Sequence, residues 1–245
     1  MKVMLLAAGR GERMRPLTDT CPKPLLIAGG KPLIVHHIER LARAGHREIV
    51  VNHAWLGAML EAALGDGSRH GVSIRYSAER EALETAGGIA KALPLLRADT
   101  PPDAIDAPFL VVSADVYTDF DFAAAEAIAA RMDARSLRAW CVMVANPPHH
   151  PHGDFLLDGE LLRLHGADAS PRARGLTYAG IGVFRPSLFD AIVPGTRHAL
   201  RPVLEREITA ARVGGEYHSS RWFDIGTPER LAELDRLLAQ PGPTR

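Results

Sequence analysis

Residues 3–26, VMLLAAGRGERMRPLTDTCPKPLL, carry Gly9, Gly11, Arg13, Arg15 and Lys23 directly after a short apolar run. These residue types handle phosphate. Glycine lets backbone amides approach phosphate oxygens with no Cβ in the way, and successive amides form an anion-binding concavity. Two arginines and a lysine add positive charge, while Pro22 and Pro24 restrict the backbone on either side of Lys23. Neither common glycine-rich phosphate loop fits. The dinucleotide fingerprint needs a third glycine where Met14 stands, and Pro16 interrupts the helix expected there; a Walker-type loop needs Gly-Lys-Ser/Thr, whereas Lys23 lies in Pro-Lys-Pro. What remains is a rigid, cationic arm that suits a small polyanion such as a nucleoside triphosphate.

Two carboxylates stand out far from this loop. Asp115 ends the apolar run FLVVSAD, so it is expected to emerge at the same sheet edge as the glycines. A hard cation such as magnesium takes one or two carboxylates plus substrate phosphates. Asp119 and Asp121 directly precede the helical run FAAAEAIAARM and read better as helix caps. Asp224 sits in WFDIG, whose apolar residues imply partial burial, and a buried charge needs a partner or a metal. Glu84 to Gly88, ETAGG, form a small-residue turn before a helix, with Thr85 as its expected cap, and Asn52 marks another strand end. His149, His150 and His152 lie in a proline-rich loop without a cysteine partner or helical spacing, so a zinc site is not expected. Cys21 has no base nearby in sequence and reads as a packing residue.

The elements that must position these residues alternate strictly in the first half: VMLLAA, PLIVHHIERLARAG, EIVVN, WLGAMLEAAL, VSIRYS, GGIAKALPLL and FLVVSAD. Strand and helix in turn predict βαβ units and a mostly parallel sheet covered on both faces. Leu33, Ile34, His37, Ile38 and Leu41 fall on one helical stripe, and residues 97–108, RADTPPDAIDAP, read as a surface loop. From Leu137 strand-like runs dominate, LRAWCVMVA, DFLLDG, ELLRLH and LTYAGIGVF, followed by helical stretches at 186–193 and 200–211. Near the end Thr227 caps a helix with Pro228 at its first position. One domain over 1–245 is expected, with a nucleotide-binding half at 1–135 and a substrate-side half at 136–245.

Composition narrows the partners. Lysine plus arginine and aspartate plus glutamate each number 29, so no global field points to nucleic acid or to a membrane surface. Charge is nonetheless local: residues 1–31 hold six basic side chains against Glu12 and Asp19. Two cysteines are too few for a disulfide framework, and no apolar run approaches membrane-spanning length, so a reducing, cytoplasmic setting is expected.

LAAGRGERMRPLTDTCPKPLL resembles the signature of the sugar-1-phosphate nucleotidyltransferases, the enzymes that make nucleotide sugars. The likeness continues through VNHAWLG, GDGSRHGVSIRYS, LETAGGIAKALPLL, SADVYTDFDF, HHPHGDF and WFDIGTPERLAE. It implies an α/β fold with a Rossmann-like, mixed, mostly parallel sheet flanked by helices, and a sugar-binding second half. It implies Mg2+ held by Asp115 and Asp224, Arg13 on the β and γ phosphates, and Lys23 on the reacting phosphates. Leu6, Ala8, Gly9, Gly11, Glu12, Glu84 and Gly88 would border the nucleotide; Asn52, Ser113, Gly153 and Asp154 would border the sugar. The donor and acceptor it implies are UTP and N-acetylmuramate 1-phosphate, in peptidoglycan recycling. Guanylyl, thymidylyl or cytidylyl transfer, or a non-catalytic nucleotide-sensing module, are the alternatives. Ser113 and Ala114 replace an Asn-Gly or Leu-Gly pair of many relatives, which would bring a methyl group near the substrate, and Ala86 replaces a glycine.

Overall fold

The computed structural model describes residues 1–166 and 170–239. The chain runs β1 (Val3–Leu6), α1 (Leu17–Thr20), β2 (Ile27–Ala28), β3 (Lys31–Pro32), α2 (Leu33–Arg43), β4 (Glu48–His53), α3 (Gly57–Leu64), β5 (Ser73–Ala78) and α4 (Glu84–Arg97). It continues with β6 (Phe109–Ser113), β7 (Val116–Thr118), α5 (Ala124–Ala134), β8 (Ala139–Val144), β9 (Phe155–Asp158), β10 (Leu161–Arg163) and β11 (Arg174–Phe184). It closes with α6 (Leu200–Thr209), β12 (Val213–Tyr217), β13 (Trp222–Asp224) and α7 (Pro228–Ala239).

One nine-stranded sheet spans both halves in the order β5-β4-β1-β6-β11-β8-β12-β10-β9. The first four are parallel, as the alternation of strand and helix predicts. The second half enters differently, because β11 pairs antiparallel with both β6 and β8. Parallel pairing there is confined to β8 with β12. β1 is the switch point, its two parallel neighbours β4 and β6 lying on opposite sides, and ligands bind outside the carboxyl ends of strands at such a point.

Strand periodicity builds two cores. Val3, Leu5, Leu110, Val112, Trp140 and Val142 face one side, packed under α2 and α5. Met4, Phe109, Val111, Ala139, Cys141 and Met143 face the other, packed under α4 and α6. Every residue of β8 is buried, as expected of a strand covered on both faces. A third cluster joins sequence-distant parts: Met14, Leu26 and Leu33 pack on Ile225 and Leu234. The Gly29 amide donates to Asp235 at 2.8 Å, so α7 is clamped to the hairpin that follows the glycine-rich loop.

Three expectations change. Residues 186–193 form only a single 3-10 turn at Pro186–Phe189, because the Arg185 main chain is extended and the turn starts on proline. Thr85 does not cap α4; the helix starts at Glu84 behind Leu83, and no side chain caps it. Of the two aspartates before α5, Asp121 accepts the Ala123 amide at 3.0 Å, whereas Asp119 lies 3.2 Å from His218 Nε2.

Glu207 on α6 is fully buried, and Arg138, Arg206 and Arg212 surround its carboxylate at 2.8 to 3.2 Å. A buried charge persists only when paired in this way, and the pairing fixes α6 against β8.

His37 on α2 anchors the turn that carries Asp115: its Nε2 donates to the Val116 carbonyl at 2.7 Å. Burial disfavours its charged form and lowers its pKa from 6.5 to about 4. Between those values the unfolded chain binds more protons than the folded one, so this ring's contribution is complete above pH 6.5 and is lost as pH falls toward 4. Urea unfolding at a series of pH values should show His37→Gln and the parent converging by about 2 to 3 kcal/mol between pH 7 and 4.5. A pH-independent gap would contradict the buried neutral ring.

Candidate functional site

The glycine-rich loop follows β1 at the switch point. Gly11 adopts φ +68°, and a β-carbon there would lie 3.1 Å from the Thr18 methyl and 3.2 Å from Lys23 Cβ, so glycine is needed twice over. Its carbonyl accepts the Met14 amide and the Thr18 hydroxyl, both at 2.9 Å, closing the loop on itself. Met14 is fully buried and pins the loop, which leaves its neighbour Arg13 on the wall of a cavity of about 490 Å³. That volume falls in the range of small-ligand sites.

The loop's cations divide. Arg13 and Lys23 line the cavity. Arg10 stacks on Trp55, 4.4 Å from the ring centroid, and Arg15 pairs with Asp19 at 2.7 Å. Lys23 is only 6% exposed and its Nζ lies 2.8 Å from Asp115 Oδ2. Arg13 has no side-chain partner among the described residues.

Sheet register explains how the other wall forms. Leu6 sits opposite Asn52 of β4 and Ser113 of β6, so three strand ends make one row beneath the loop. Strand β6 ends at Ser113, earlier than FLVVSAD suggests, and Asp115 sits in the turn to β7. The Ala114 methyl is buried in the core and not turned to substrate, because its amide bonds the Leu6 carbonyl at 2.9 Å. Asp224 reaches the same place through a separate two-stranded antiparallel sheet: it faces Val116 across β7–β13, and the Ile225 amide donates to the Asp115 carbonyl at 3.0 Å.

Leu6, Ala8, Gly9, Gly11, Glu12, Arg13, Lys23, Asn52, Glu84, Ser113 and Asp115 all line the cavity. Asn52 does so with its amide engaged: Oδ1 accepts the Ala7 amide at 2.9 Å and Nδ2 donates to buried Glu79 at 2.7 Å. Gly88 is not in the wall. A β-carbon there would meet Asn52 Nδ2 and Glu79 Oε1 at 2.8 Å, so its role is to let α4 approach that pair. Gly153 likewise serves a turn, at φ +67° with Leu176 and Asn146 oxygens 2.5 to 2.6 Å from a hypothetical β-carbon. Asp154 lines a second hollow, described below.

Sequence reasoning missed four residues. Arg230 Nη1 lies 2.6 Å from Asp224 Oδ2, and His149 Nε2 lies 3.4 Å from the same oxygen. A β-carbon at Gly226 would be 3.2 Å from Arg13 Nη2, Arg230 Nη1 and Asp224 Oδ2 alike, so that glycine is the hub on which both halves of the site converge. Arg197 pairs with Glu84 at 2.7 Å over the cavity, with Glu84 held at φ +58°. Arg230 lies in the first turn of α7, and only the α7 clamp brings it to the loop. His149 and His150 each neighbour a different carboxylate, Asp224 and Asp154. Cys21 is partly buried, which pushes its thiol up and away from nucleophilic chemistry.

Among the described residues no group of three or more His, Cys, Asp or Glu side chains is placed to cage a metal. Asp115 lines the cavity, whereas Asp224 is not among its lining residues and stands behind Gly226, which is. No described helix is long and apolar enough to cross a membrane.

Comparison with known proteins fits this geometry. The nucleotidyl transferase family model matches residues 2–240. The chain is 51% identical to the N-acetylmuramate alpha-1-phosphate uridylyltransferase of Neisseria meningitidis serogroup B, over 97% of this chain and 98% of that one. It is 33% identical to the enzyme of the same name from Caulobacter vibrioides, over 97% and 96% respectively. The fold matches that of a UDP-glucose pyrophosphorylase solved with UDP-glucose, at TM-score 0.72 and 17% identity over 96% of this chain and 97% of that one. The family-model match over residues 2–240 and the near full-length similarity place the chain in the nucleotidyl transferase family.

Proposed function

We propose that this enzyme transfers a uridylyl group from UTP to N-acetylmuramate 1-phosphate and releases pyrophosphate, in the cytoplasmic recycling of peptidoglycan. The observation that carries the reading is the 51% identity over 97% of the chain, reached with Arg13, Lys23 and Asp115 on one cavity wall. In the reaction an oxygen of the acceptor phosphate attacks the α-phosphorus, forming one P–O bond as the bond to the β-phosphate oxygen breaks. No protein nucleophile is required. Positioning and charge neutralisation do the work in transfers of this kind.

Each residue has a role that its place supports. The amides around Gly9 and Gly11 receive phosphate oxygens, and Arg13 holds the β and γ phosphates and the departing pyrophosphate. Lys23 balances charge at the reacting phosphates. Asp115 and Asp224 would hold Mg2+, which when bound offsets the charge of the triphosphate and polarises it for attack. Lys23 and Arg230 pair with these two carboxylates at 2.8 and 2.6 Å, and Lys23, which lines the cavity, would be released toward phosphate oxygens if Asp115 held the ion.

A panel of triphosphates against sugar 1-phosphates with magnesium, read by pyrophosphate release and product mass, tests the assignment. UTP with N-acetylmuramate 1-phosphate should be preferred; tight UTP binding with no turnover on any pair would overturn catalysis. Lys23→Met should lower turnover by about a hundredfold, the usual consequence of losing one preorganised donor at a developing charge. Near-parental turnover would remove Lys23 from the chemistry.

A further inference from the structure

We propose that Arg201 reads the lactyl carboxylate of the acceptor and so separates N-acetylmuramate 1-phosphate from hexosamine phosphates that lack it. The inference rests on the proposed function and names a specificity residue within it. A second hollow of about 360 Å³ adjoins the triphosphate cavity, and Glu84 and Thr85 belong to the walls of both. A sugar lying there has its 1-phosphate directed toward the first cavity and its ring substituents toward Asp154, Phe155, Tyr178 and Arg201.

Tyr178 lines this hollow, while its hydroxyl is buried without a hydrogen-bond partner among the described residues. Arg201, in the first turn of α6, is the cation in its wall. Its Nε donates to Glu205 at 2.8 Å, and its guanidinium carbon lies 5.5 Å from the centroid of the Phe155 ring. Those two contacts hold the fork across the hollow.

Asp154 does not use the fork up. Arg201 Nη1 is 3.6 Å from Asp154 Oδ1, beyond hydrogen-bond reach, while Asp154 is met by the Tyr178 amide at 2.8 Å and His150 Nε2 at 3.3 Å. Guanidinium carries five N–H donors, so several remain for a planar, two-oxygen acid, the group arginine matches best. N-Acetylmuramate 1-phosphate has two anions at opposite ends of the ring region, phosphate at C1 and carboxylate on the lactyl ether at C3. The loop cations take the first and Arg201 takes the second.

The test compares N-acetylmuramate 1-phosphate with its lactyl methyl ester and with N-acetylglucosamine 1-phosphate, using saturating UTP and magnesium. Arg201→Met should lower kcat/KM for the free acid by about tenfold, chiefly through KM, the loss expected for a charge-assisted contact on a half-exposed side chain. The preference for acid over ester should shrink by the same factor, and Arg201→Lys should recover part of it. The acid-to-ester ratio is internal to each protein sample, so loss of active fraction cancels. Equal ratios in the parent and Arg201→Met would overturn the arginine assignment alone; a parent that ignores N-acetylmuramate 1-phosphate would overturn it together with the function it rests on.

Discussion

The ion pair between Lys23 and Asp115 is the contact on which the site depends. Lys23 is almost wholly buried, and a buried ammonium is stable only beside an opposite charge. That demand holds the loop across the end of β6, and every other feature of the loop serves the same placement. Gly11 turns left-handed beneath the lysine stem, the prolines fix the backbone on either side, and Met14 anchors the loop in the small third core. Two like charges, Asp115 and Asp224, are brought to one sheet edge, and each is answered by a cation from another segment. The polar edge therefore holds its charges in place before any ligand arrives.

Much of this was readable before the coordinates, and the reason is local. The loop's glycines, prolines and cations follow one strand within about two dozen residues, so their chemistry and their position at a strand end could be inferred together. The alternation of strands with helices likewise foretold the four parallel strands of the first half. Asp224 was legible as a charge among apolar residues needing a partner, though not which partner.

What escaped was non-local or geometric. Arg230 lies beside Arg13 because Leu234 and Ile225 pack on Met14, a contact across more than two hundred residues that no periodicity announces. β11 enters antiparallel and shifts register against β8 between Tyr178 and Gly182, where Gly180 at φ +74° keeps a β-carbon from crowding Ser113. Asn52 and Gly88 show the converse: residues that by resemblance border the sugar and the nucleotide respectively do part of their work in a buried bracket with Glu79, which also receives the Leu83 amide and so sets where α4 begins.

If Asp115 and Asp224 hold the proposed divalent ion together, both halves of the chain meet at it. Binding of Mn2+ in the presence of UTP, followed by its electron paramagnetic resonance signal or by calorimetry, measures this directly for Asp115→Asn, Asp224→Asn and the double variant. One shared ion predicts that each single change weakens binding by at least about tenfold and that the double variant loses much less than the product of the two, the coupling expected of ligands in one site. Losses that simply multiply, or a single variant that binds as the parent does, would contradict it.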